Sequence, residues 1–344
     1  MSIANPARID LTRTQILAHR RLAGALDKRL PAGPDSLRIA AWAGLQDSMP
    51  RAALLSIHAR VRDTGPSSWE DPALVQLWGP RFSAYVVAVP DIAVFSLGRL
   101  SDDAGGRKRA LDFAASLEAF LAGRTMTYGE AGRGLGINPN ALRYAAPTGT
   151  VLIRWDGGRQ PAVWTVPPPE ADPRDARLEL ARRYLHVFGP ATPESFAHWA
   201  GIRPAARGRA AFEALAGELV PARTPVGDAW ILAADEDGFD APAGPSAAAR
   251  LLPSGDAYFL LQGVDRELLV PDADRRPLLW TSRVWPGAVL LGGEIAGTWR
   301  RADANVTIQP WRRLSPAERE AVEAEADSLP LPAVGARIQV RWDD

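Results

Sequence analysis

Three consecutive polar side chains, Gln46, Asp47 and Ser48, are of types that could carry out hydrolytic chemistry if they met at one site. A glutamine amide can orient a water molecule, and a nearby carboxylate can stabilise positive charge that develops as a bond breaks. On an α-helix, successive side chains turn by about 100°, so the three would not share one face. Joint use of the segment therefore predicts a distorted helix end or a loop, which Pro50 permits. The alternative is a buried Gln46 that only bonds the backbone at a helix end.

Other reaction chemistries find little support in the sequence. Cysteine is absent, which excludes disulfides, iron–sulfur clusters and thiolate zinc sites. The four histidines do not have metalloprotease spacing, so no metal site is expected. The glycine-rich segment 132–136 follows a predicted helix and lacks the Lys-Ser/Thr pair of a phosphate-binding loop, so we interpret it as a turn. We expect no cofactor.

Arginine carries almost all of the positive charge, because lysine occurs only at Lys28 and Lys108. The formal net charge is zero, which argues against a nucleic-acid-binding protein, but the charge is unevenly distributed. Residues 1–170 contain 20 basic and 15 acidic residues, whereas residues 171–344 contain 20 and 25. This asymmetry favours DNA contact through the first half of the chain. The sequence shows neither a signal peptide nor an apolar membrane span, so we expect a cytoplasmic protein.

A repeated order of elements predicts the architecture: helix, short helix, helix and a two-stranded ribbon, as in a winged helix-turn-helix. The third copy has helices at 174–188, 193–200 and from Pro204, with strands at 219–223 and 229–232. The second copy has helices at 107–122, 127–134 and 140–146, with strands at 150–155 and 160–166 around an Asp-Gly turn. The looser first copy has helices at 12–26, 37–45 and 50–61, with strands at 85–89 and 94–97.

The remaining sequence predicts a β-rich C-terminal domain. Its expected strands are 257–262, 267–270, 288–291 and 295–300, before a helix at 314–329 that begins with a capping box at Ser315. Linkers are expected at 167–169 and 235–249. The predicted fold class is mainly α with β wings (α+β). Its modules are winged helix-turn-helix units at 1–106, 107–170 and 171–236, followed by the C-terminal domain at 237–344.

Several side chains of these modules are candidates for DNA contact, because arginine can bind phosphate without reading the base sequence. They lie on the second predicted recognition helix, on its wing and at the start of the third copy's last helix: Arg143, Tyr144, Arg154, Arg159, Arg203 and Arg207. Each arginine could equally be a solvated surface charge.

The segment Gly44–Ser48, followed by Arg51–Arg60, resembles the signature of the winged-helix AlkZ/YcaQ DNA glycosylases. Phe188–Pro193 and Leu251–Asp256 also resemble segments of that family, and the similarity extends over nearly the whole chain. The resemblance implies three tandem winged helices around DNA and a C-terminal β-rich domain. It also implies excision of N7-alkylated purines, or unhooking of interstrand crosslinks, in double-stranded DNA. We expect a monomer associated with the nucleoid, with Arg51 among its DNA contacts.

The resemblance is incomplete at the catalytic motif. The family pattern of Gln-x-Gln or Gln-x-Asp is replaced here by Gln46-Asp47-Ser48, so only the first glutamine matches. Tyr85 stands where the family often has a histidine. Its ring is predicted to lie near the target nucleotide and stack on a sugar or base, the alternative being a strand residue that faces the core. Because serine is shorter and uncharged, we expect slow excision or none unless Asp47 takes over the missing role.

The absence of an amine near Gln46 in the sequence predicts a glycosylase without lyase activity, since a Schiff base needs an amine. Two other functions fit the same sequence. One is a non-catalytic winged-helix protein that binds DNA as a lesion sensor or transcriptional regulator. The other is a protein-interaction scaffold, which would suit the neutral net charge. The fold by itself does not decide between them.

Overall fold

A computed structural model describes residues 8–158, 160–240, 249–331 and 337–343. The α-helices of these ranges are α1 (Arg13–Ala23), α2 (Pro34–Ala40), α3 (Ala52–Arg60), α4 (Ile92–Phe95), α5 (Ala104–Leu121), α6 (Tyr128–Gly134), α7 (Pro173–Phe188), α8 (Pro193–Ala200), α9 (Ala206–Ala214), α10 (Glu236–Asp240), α11 (Asp265–Leu269), α12 (Arg276–Leu279) and α13 (Pro316–Asp327). Several 3₁₀ segments connect them, the longest being Pro139–Thr148. No helix in the described ranges is long and apolar enough to cross a membrane.

The strands form three sheets. They are β1 (Ile9–Asp10), β2 (Leu45–Gln46), β3 (Leu74–Trp78), β4 (Ala84–Ala88), β5 (Met126–Thr127), β6 (Val151–Arg154), β7 (Ala162–Thr165), β8 (Leu219–Thr224), β9 (Gly227–Leu232), β10 (Arg250–Leu252), β11 (Gly287–Leu291), β12 (Glu294–Ala302), β13 (Asn305–Pro310) and β14 (Gln339–Trp342). The sheet orders are β2-β4-β3-β6-β7-β5, β1-β8-β9 and β10-β11-β12-β13-β14. The chain therefore has a mixed α and β fold.

The helices of the third repeat confirm the predicted order and show why the sequence forms it. Asp172 caps α7, Thr192 caps α8 through a capping box, and Gly201 ends α8 in a left-handed conformation. The predicted ribbon is present as β8 and β9. A buried aromatic cluster joins the three helices: Tyr184, Phe188, Phe196, Trp199 and Phe212. Each such side chain contributes roughly 1.5–3 kcal/mol by leaving water.

The strands of the first two repeats form one sheet. The junction is the pairing of β3 with β6, where Gln76 lies opposite Ile153. The Gln76 side chain strengthens it by accepting a hydrogen bond from the Trp155 amide at 2.6 Å. At the other end of the first repeat, β1 pairs in parallel with β8 of the third repeat. Strand pairing therefore crosses the boundaries drawn from the sequence.

Four predicted elements are wrong. The helix expected at 37–45 ends at Ala40, and the chain then turns at Gly44 (φ +70°) into β2. The strands expected at 94–97, 257–262 and 267–270 are instead helical, as α4, a 3₁₀ turn and α11. Strand β3 was not predicted. The physical reason is common to these errors, since periodicity cannot distinguish a short buried strand from a short buried helix.

The C-terminal region combines a five-stranded sheet with short helices. Strands β11 and β12 and helix α13 were predicted, and the Ser315 capping box is present. The expected linker at 235–249 begins with α10, and its residues 241–248 lie outside the described residues.

Candidate functional site

The edge strand β2 presents Gln46 and Ser48 on the same side of the chain. Gln46 pairs with Tyr85 of β4, and the Asp47 amide donates to the Ala84 carbonyl at 2.8 Å. In extended backbone, alternate side chains share a face. The Gln46 amide accordingly donates from Nε2 to Ser48 Oγ at 3.0 Å. Of the two predicted conformations, the distorted helix end is wrong and the loop is closer, because the chain leaves β2 after Gln46 as an extended segment that brings the first and third polar side chains together.

Two side chains hold the other end of the Gln46 amide. The Tyr85 hydroxyl and the Arg81 guanidinium each donate to Gln46 Oε1 at 3.4 Å. These long hydrogen bonds fix the amide with its oxygen toward Arg81 and its nitrogen toward Ser48. Side-chain hydrogen bonds therefore orient the Gln46 amide, which does more than bond the backbone.

Tyr85 does not offer its ring to DNA. The side chain is 0 % exposed, and burial raises its pKa to about 12. Gly44 and Gly79 lie so close that a Cβ on either would be within 3 Å of the ring. The prediction of a stacking contact is corrected here, since Tyr85 is the core-facing strand residue that was the alternative.

Asp47 points away from Gln46 and is almost completely buried. Its Oδ1 accepts from the Ala53 amide at 2.9 Å, and its Oδ2 accepts from Gln76 Nε2 at 2.6 Å. Burial raises the pKa of this carboxyl to about 6, although the hydrogen bonds and the nearby Arg51 oppose the shift. Asp47 thus joins β2 to the start of α3 and to β3. It lines a neighbouring cavity of about 330 Å³, which shares Ser48 and Arg81 with the cavity that Gln46 lines, and its two oxygens bond Ala53 and Gln76 instead of forming a catalytic pair with Gln46.

Gln46 and Ser48 line a cavity of about 240 Å³ between the edge strand and the C-terminal region. The other lining residues include Arg81, Ser254, Gly255, Arg283 and Trp285. We call this space the Gln46 cavity. It provides an amide, a hydroxyl, a guanidinium and an indole around a solvent-accessible opening.

A buried ion pair lies behind the part of the Gln46 cavity that Ser254 and Gly255 line. Arg60 of α3 donates two hydrogen bonds of 2.7 Å to Asp256, and Ser56 donates a third of 2.6 Å. Burial alone would raise the pKa of Asp256, but these donors lower it below its usual value. The pair holds Gly255 (φ +77°) against the Gln46 side chain. Two segments noted in the sequence, 51–60 and 251–256, therefore meet at the site.

Sequence reasoning missed Arg81, Arg283 and Trp285. Arg81 lies in a 3₁₀ turn with φ +54°, and Gly201 packs so close that a Cβ there would be 2.9 Å from the Arg81 amide. The signal that could have directed attention to Arg81 is the Gly79-Pro80 turn just before it. Arg283 and Trp285 lie in an irregular segment for which we find no comparable signal.

The predicted DNA contacts fall into two groups. Tyr144, Arg154 and Arg203 are exposed, although Arg154 pairs with Glu70 at 2.5 Å and lies over Trp69. The others are half-buried: Arg51 bonds the Asp156 carbonyl and lies over Trp69, Arg207 pairs with Asp102 at 2.9 Å, and Arg143 lines the same cavity as Asp47. Arg159 lies outside the described residues. In the described part of the chain, no group of three or more metal-binding side chains occurs.

Comparison with known proteins defines the class to which this fold and site belong. The model of the AlkZ-like DNA glycosylases matches residues 39–330, so the chain belongs to the AlkZ-like DNA glycosylase family, whose members act in DNA repair. Over 176 residues the chain is 28% identical to an interstrand DNA cross-link repair glycosylase from Streptomyces sahachiroi. This match covers 49% of the chain and 46% of the relative, which is about half the length of each.

A solved structure shares the fold. The Streptomyces sahachiroi DNA glycosylase AlkZ superposes with a TM-score of 0.76 at 18% identity. The superposition covers 97% of this chain and 100% of that chain. At this identity the likeness concerns the fold alone.

Proposed function

We propose that this protein is a monofunctional DNA glycosylase that releases N7-alkylated purines from double-stranded DNA, including the purines of interstrand crosslinks. The observation that carries the proposal is the oriented Gln46 amide, which bonds Ser48 at 3.0 Å at the edge of the Gln46 cavity. Family membership and the crosslink-repair relative support the same conclusion.

The reaction breaks the bond between the sugar's anomeric carbon and the base nitrogen. An N7-alkylated purine takes the bonding electrons and leaves as a neutral base, so the protein need not protonate it. The positive charge of the alkylated base passes to the sugar, and a water molecule then adds to the same carbon and releases one proton to the solvent. Ser48 Oγ accepts one hydrogen bond from Gln46 and retains an acceptor site for that water. Gln46 and Ser48 thus hold the nucleophile.

Asp47 acts in this proposal as a positioning residue. Both carboxylate oxygens are already hydrogen-bonded, and the side chain lines the neighbouring cavity, whose lining residues do not include Gln46. It fixes β2 relative to α3 and therefore fixes where Gln46 stands. With a serine instead of a longer or charged side chain at position 48, the developing cation has one polar partner fewer. Loss of one such partner costs about 10²–10³ in rate, so we expect slow excision.

The described residues that line the Gln46 cavity include no lysine. Lys108 is exposed and paired with Asp112 at 2.6 Å. Among the described residues, none offers an amine at the site for a Schiff base with the abasic sugar, which supports base release without strand cleavage.

The architecture proposed for DNA binding is three tandem winged helices, at 1–106, 107–170 and 171–236, with a C-terminal domain at 237–344. The helix-helix-ribbon orders of the second and third repeats support it. We propose that the protein binds duplex DNA as a monomer. The exposed Tyr144 and Arg203 are proposed as direct contacts, and Arg51, Arg143, Arg154, Arg159 and Arg207 as contributors to the positive surface.

Release of free base from DNA that contains N7-methylguanine tests this function. We expect wild-type protein to release base faster than buffer alone, without cutting the strand. Ser48→Gln should increase the rate, because it restores a longer polar partner beside Gln46. A matched control is Gln339→Ala, an exposed glutamine on β14.

A specific observation favours a second function, namely a DNA-binding protein without excision activity. Ser48 lacks the reach and charge of the family's second catalytic side chain. Tight binding of lesion DNA with no base release, in wild type and in Ser48→Gln, would favour that function and contradict the proposed one.

A further inference from the structure

A third cavity, of about 580 Å³, shares Arg81 with the Gln46 cavity, and Arg81 and Phe82 with the cavity that Asp47 lines. We call it the arginine cavity. Its lining includes five arginines and, among the described residues, no carboxylate: Arg81, Arg99, Arg109, Arg203 and Arg207. They come from separate parts of the chain, so the fold brings them together.

Arg99 places a fixed positive charge in the lining. Its guanidinium donates to the carbonyls of Trp78 at 2.9 Å and Ala200 at 3.1 Å and lies 5.1 Å from the centre of the Phe82 ring. Burial lowers its pKa to about 10, so the group is still charged at neutral pH. A buried charge without an opposite charge is costly, and a bound anion would offset that cost.

Arg109 and Arg203 stand at the exposed side of the arginine cavity. Neither side chain forms a hydrogen bond or ion pair with any residue in the described part of the chain. Arg207 differs, because it forms an ion pair with Asp102 at 2.9 Å. The same carboxylate also pairs with Arg177 at 2.7 Å. One carboxylate shared by two arginines leaves the cavity with a clear excess of positive charge.

The excess positive charge also affects the pKa values of neighbouring groups. Burial, Arg81 and Arg203 together lower the pKa of His198. Burial and Arg81 lower the pKa of Arg266. Both groups therefore lie within reach of the positive charge of Arg81, which lines both cavities.

The arginine cavity also has an aromatic wall. Tyr144 is 47 % exposed, and its ring packs edge-on against Phe82 with 5.6 Å between ring centres. Guanidinium groups match the oxygen geometry of phosphate, and an exposed aromatic face suits the sugar or base attached to it. The combination is complementary to one phosphorylated unit of a nucleic acid.

We propose that the arginine cavity is a phosphate-binding site and that its occupant is a backbone phosphate of the DNA strand whose target nucleotide enters the Gln46 cavity. The assignment to DNA rests on the proposed function. Arg81, which lines both cavities, places this phosphate next to the target nucleotide. The bound phosphate anchors the damaged strand while Gln46 and Ser48 hold the water.

Binding to a duplex that contains one stable tetrahydrofuran abasic site tests the proposal without requiring excision. The variants are Arg203→Gln and Arg109→Gln, and the matched control is Arg209→Gln. Arg209 lies on α9 like Arg207 but pairs with Glu194 at 2.8 Å and does not line the arginine cavity. We expect each test variant to weaken binding about tenfold and to reduce the salt-dependence slope by about 1, with the control unchanged. Equal affinities for Arg203→Gln, Arg109→Gln and Arg209→Gln would overturn the proposal.

A second measurement locates the phosphate on the DNA. Single phosphates flanking the abasic site are replaced, one at a time, by uncharged methylphosphonate. If Arg203 holds one of them, neutralising that phosphate weakens wild-type binding but has little further effect on Arg203→Gln. Additive effects of the two changes at every position would overturn the assignment to DNA. The NMR signals of the arginine side-chain N–H groups give a second check: if inorganic phosphate shifts them and the duplex does not, the occupant is not DNA.

The two proposals fail separately. Wild-type protein that binds the duplex with the expected coupling to Arg203 but releases no N7-methylguanine contradicts the glycosylase and supports the phosphate site. Base release that is insensitive to Gln substitution at both Arg109 and Arg203, with unchanged affinity, supports the glycosylase and overturns the phosphate site.

Discussion

Asp47 should make the stability of the fold fall as the pH rises through mild acidity. The carboxyl is 1 % exposed, and burial raises its pKa from 3.8 to about 6. Between these values the unfolded chain has lost the proton while the folded chain retains it. The folded state therefore binds more protons, and the free energy of unfolding decreases with pH in this window. Above pH 6 both states are ionised and the cost stays constant.

The size of the effect follows from the shift of about 2 pKa units. At 1.36 kcal/mol per unit, ionised Asp47 destabilises the fold by about 3 kcal/mol relative to the protonated form. Asp47→Asn removes the titration and keeps the shape. In this variant an amide nitrogen replaces the carboxylate oxygen that faces Nε2 of Gln76. Two N–H donors then oppose each other, which lowers the free energy of unfolding by an amount that does not depend on pH.

Urea unfolding of wild type and Asp47→Asn, compared at a series of pH values from 4 to 7.5, isolates this residue from all other titrating groups. The stability of the wild type relative to the variant should fall by about 2–3 kcal/mol between pH 4 and 7. A difference that is independent of pH, or that changes in the opposite direction, would refute the reasoning. It would show that the hydrogen bonds from Ala53 and Gln76 outweigh burial.

Three further predictions concern the walls of the Gln46 cavity. Asp256→Asn should lower stability by about 3–5 kcal/mol, because it leaves Arg60 buried without its carboxylate; unfolding within 1 kcal/mol of wild type would contradict this. Gly255→Ala should reduce base release more than DNA affinity, since φ is +77° and the added Cβ would lie 3.1 Å from Gln46 Nε2; full activity would show that the 253–256 loop does not position Gln46. Tyr85→Phe should leave DNA affinity unchanged and slow base release by less than about tenfold, because it removes only a 3.4 Å hydrogen bond; weakened DNA binding would restore the stacking role that burial argues against.

Local signals made much of the helical framework predictable. The cap at Thr192, the proline that follows it and the glycine at 201 define α8 within the sequence itself. The Asp-Gly turn similarly indicates the ribbon of β6 and β7. Such elements are specified by neighbours in the chain, so periodicity and capping are sufficient to find them.

The geometry of the site could not be derived in the same way. The extended conformation at Gln46 depends on pairing with Tyr85, which is 39 residues away in the chain. The orientation of its amide depends on Arg81, and the wall behind it depends on the pair between Arg60 and Asp256. These contacts arise from tertiary packing, and a single sequence carries no local signal for them. The resemblance identified Gln46, but only the fold shows that Ser48 shares its face and Asp47 does not.

The most direct test of the account is the single-turnover rate of N7-methylguanine release from duplex DNA by wild type and by Gln46→Ala, with Gln339→Ala as the control. Spontaneous release is measured in parallel without protein. We predict release by wild type above the spontaneous rate, a loss of about 10²-fold or more in that enhancement for Gln46→Ala, and no change for the control. Equal rates for wild type and Gln46→Ala, or wild-type release no faster than the spontaneous reaction, would contradict the assignment of Gln46 as the residue that orients the attacking water.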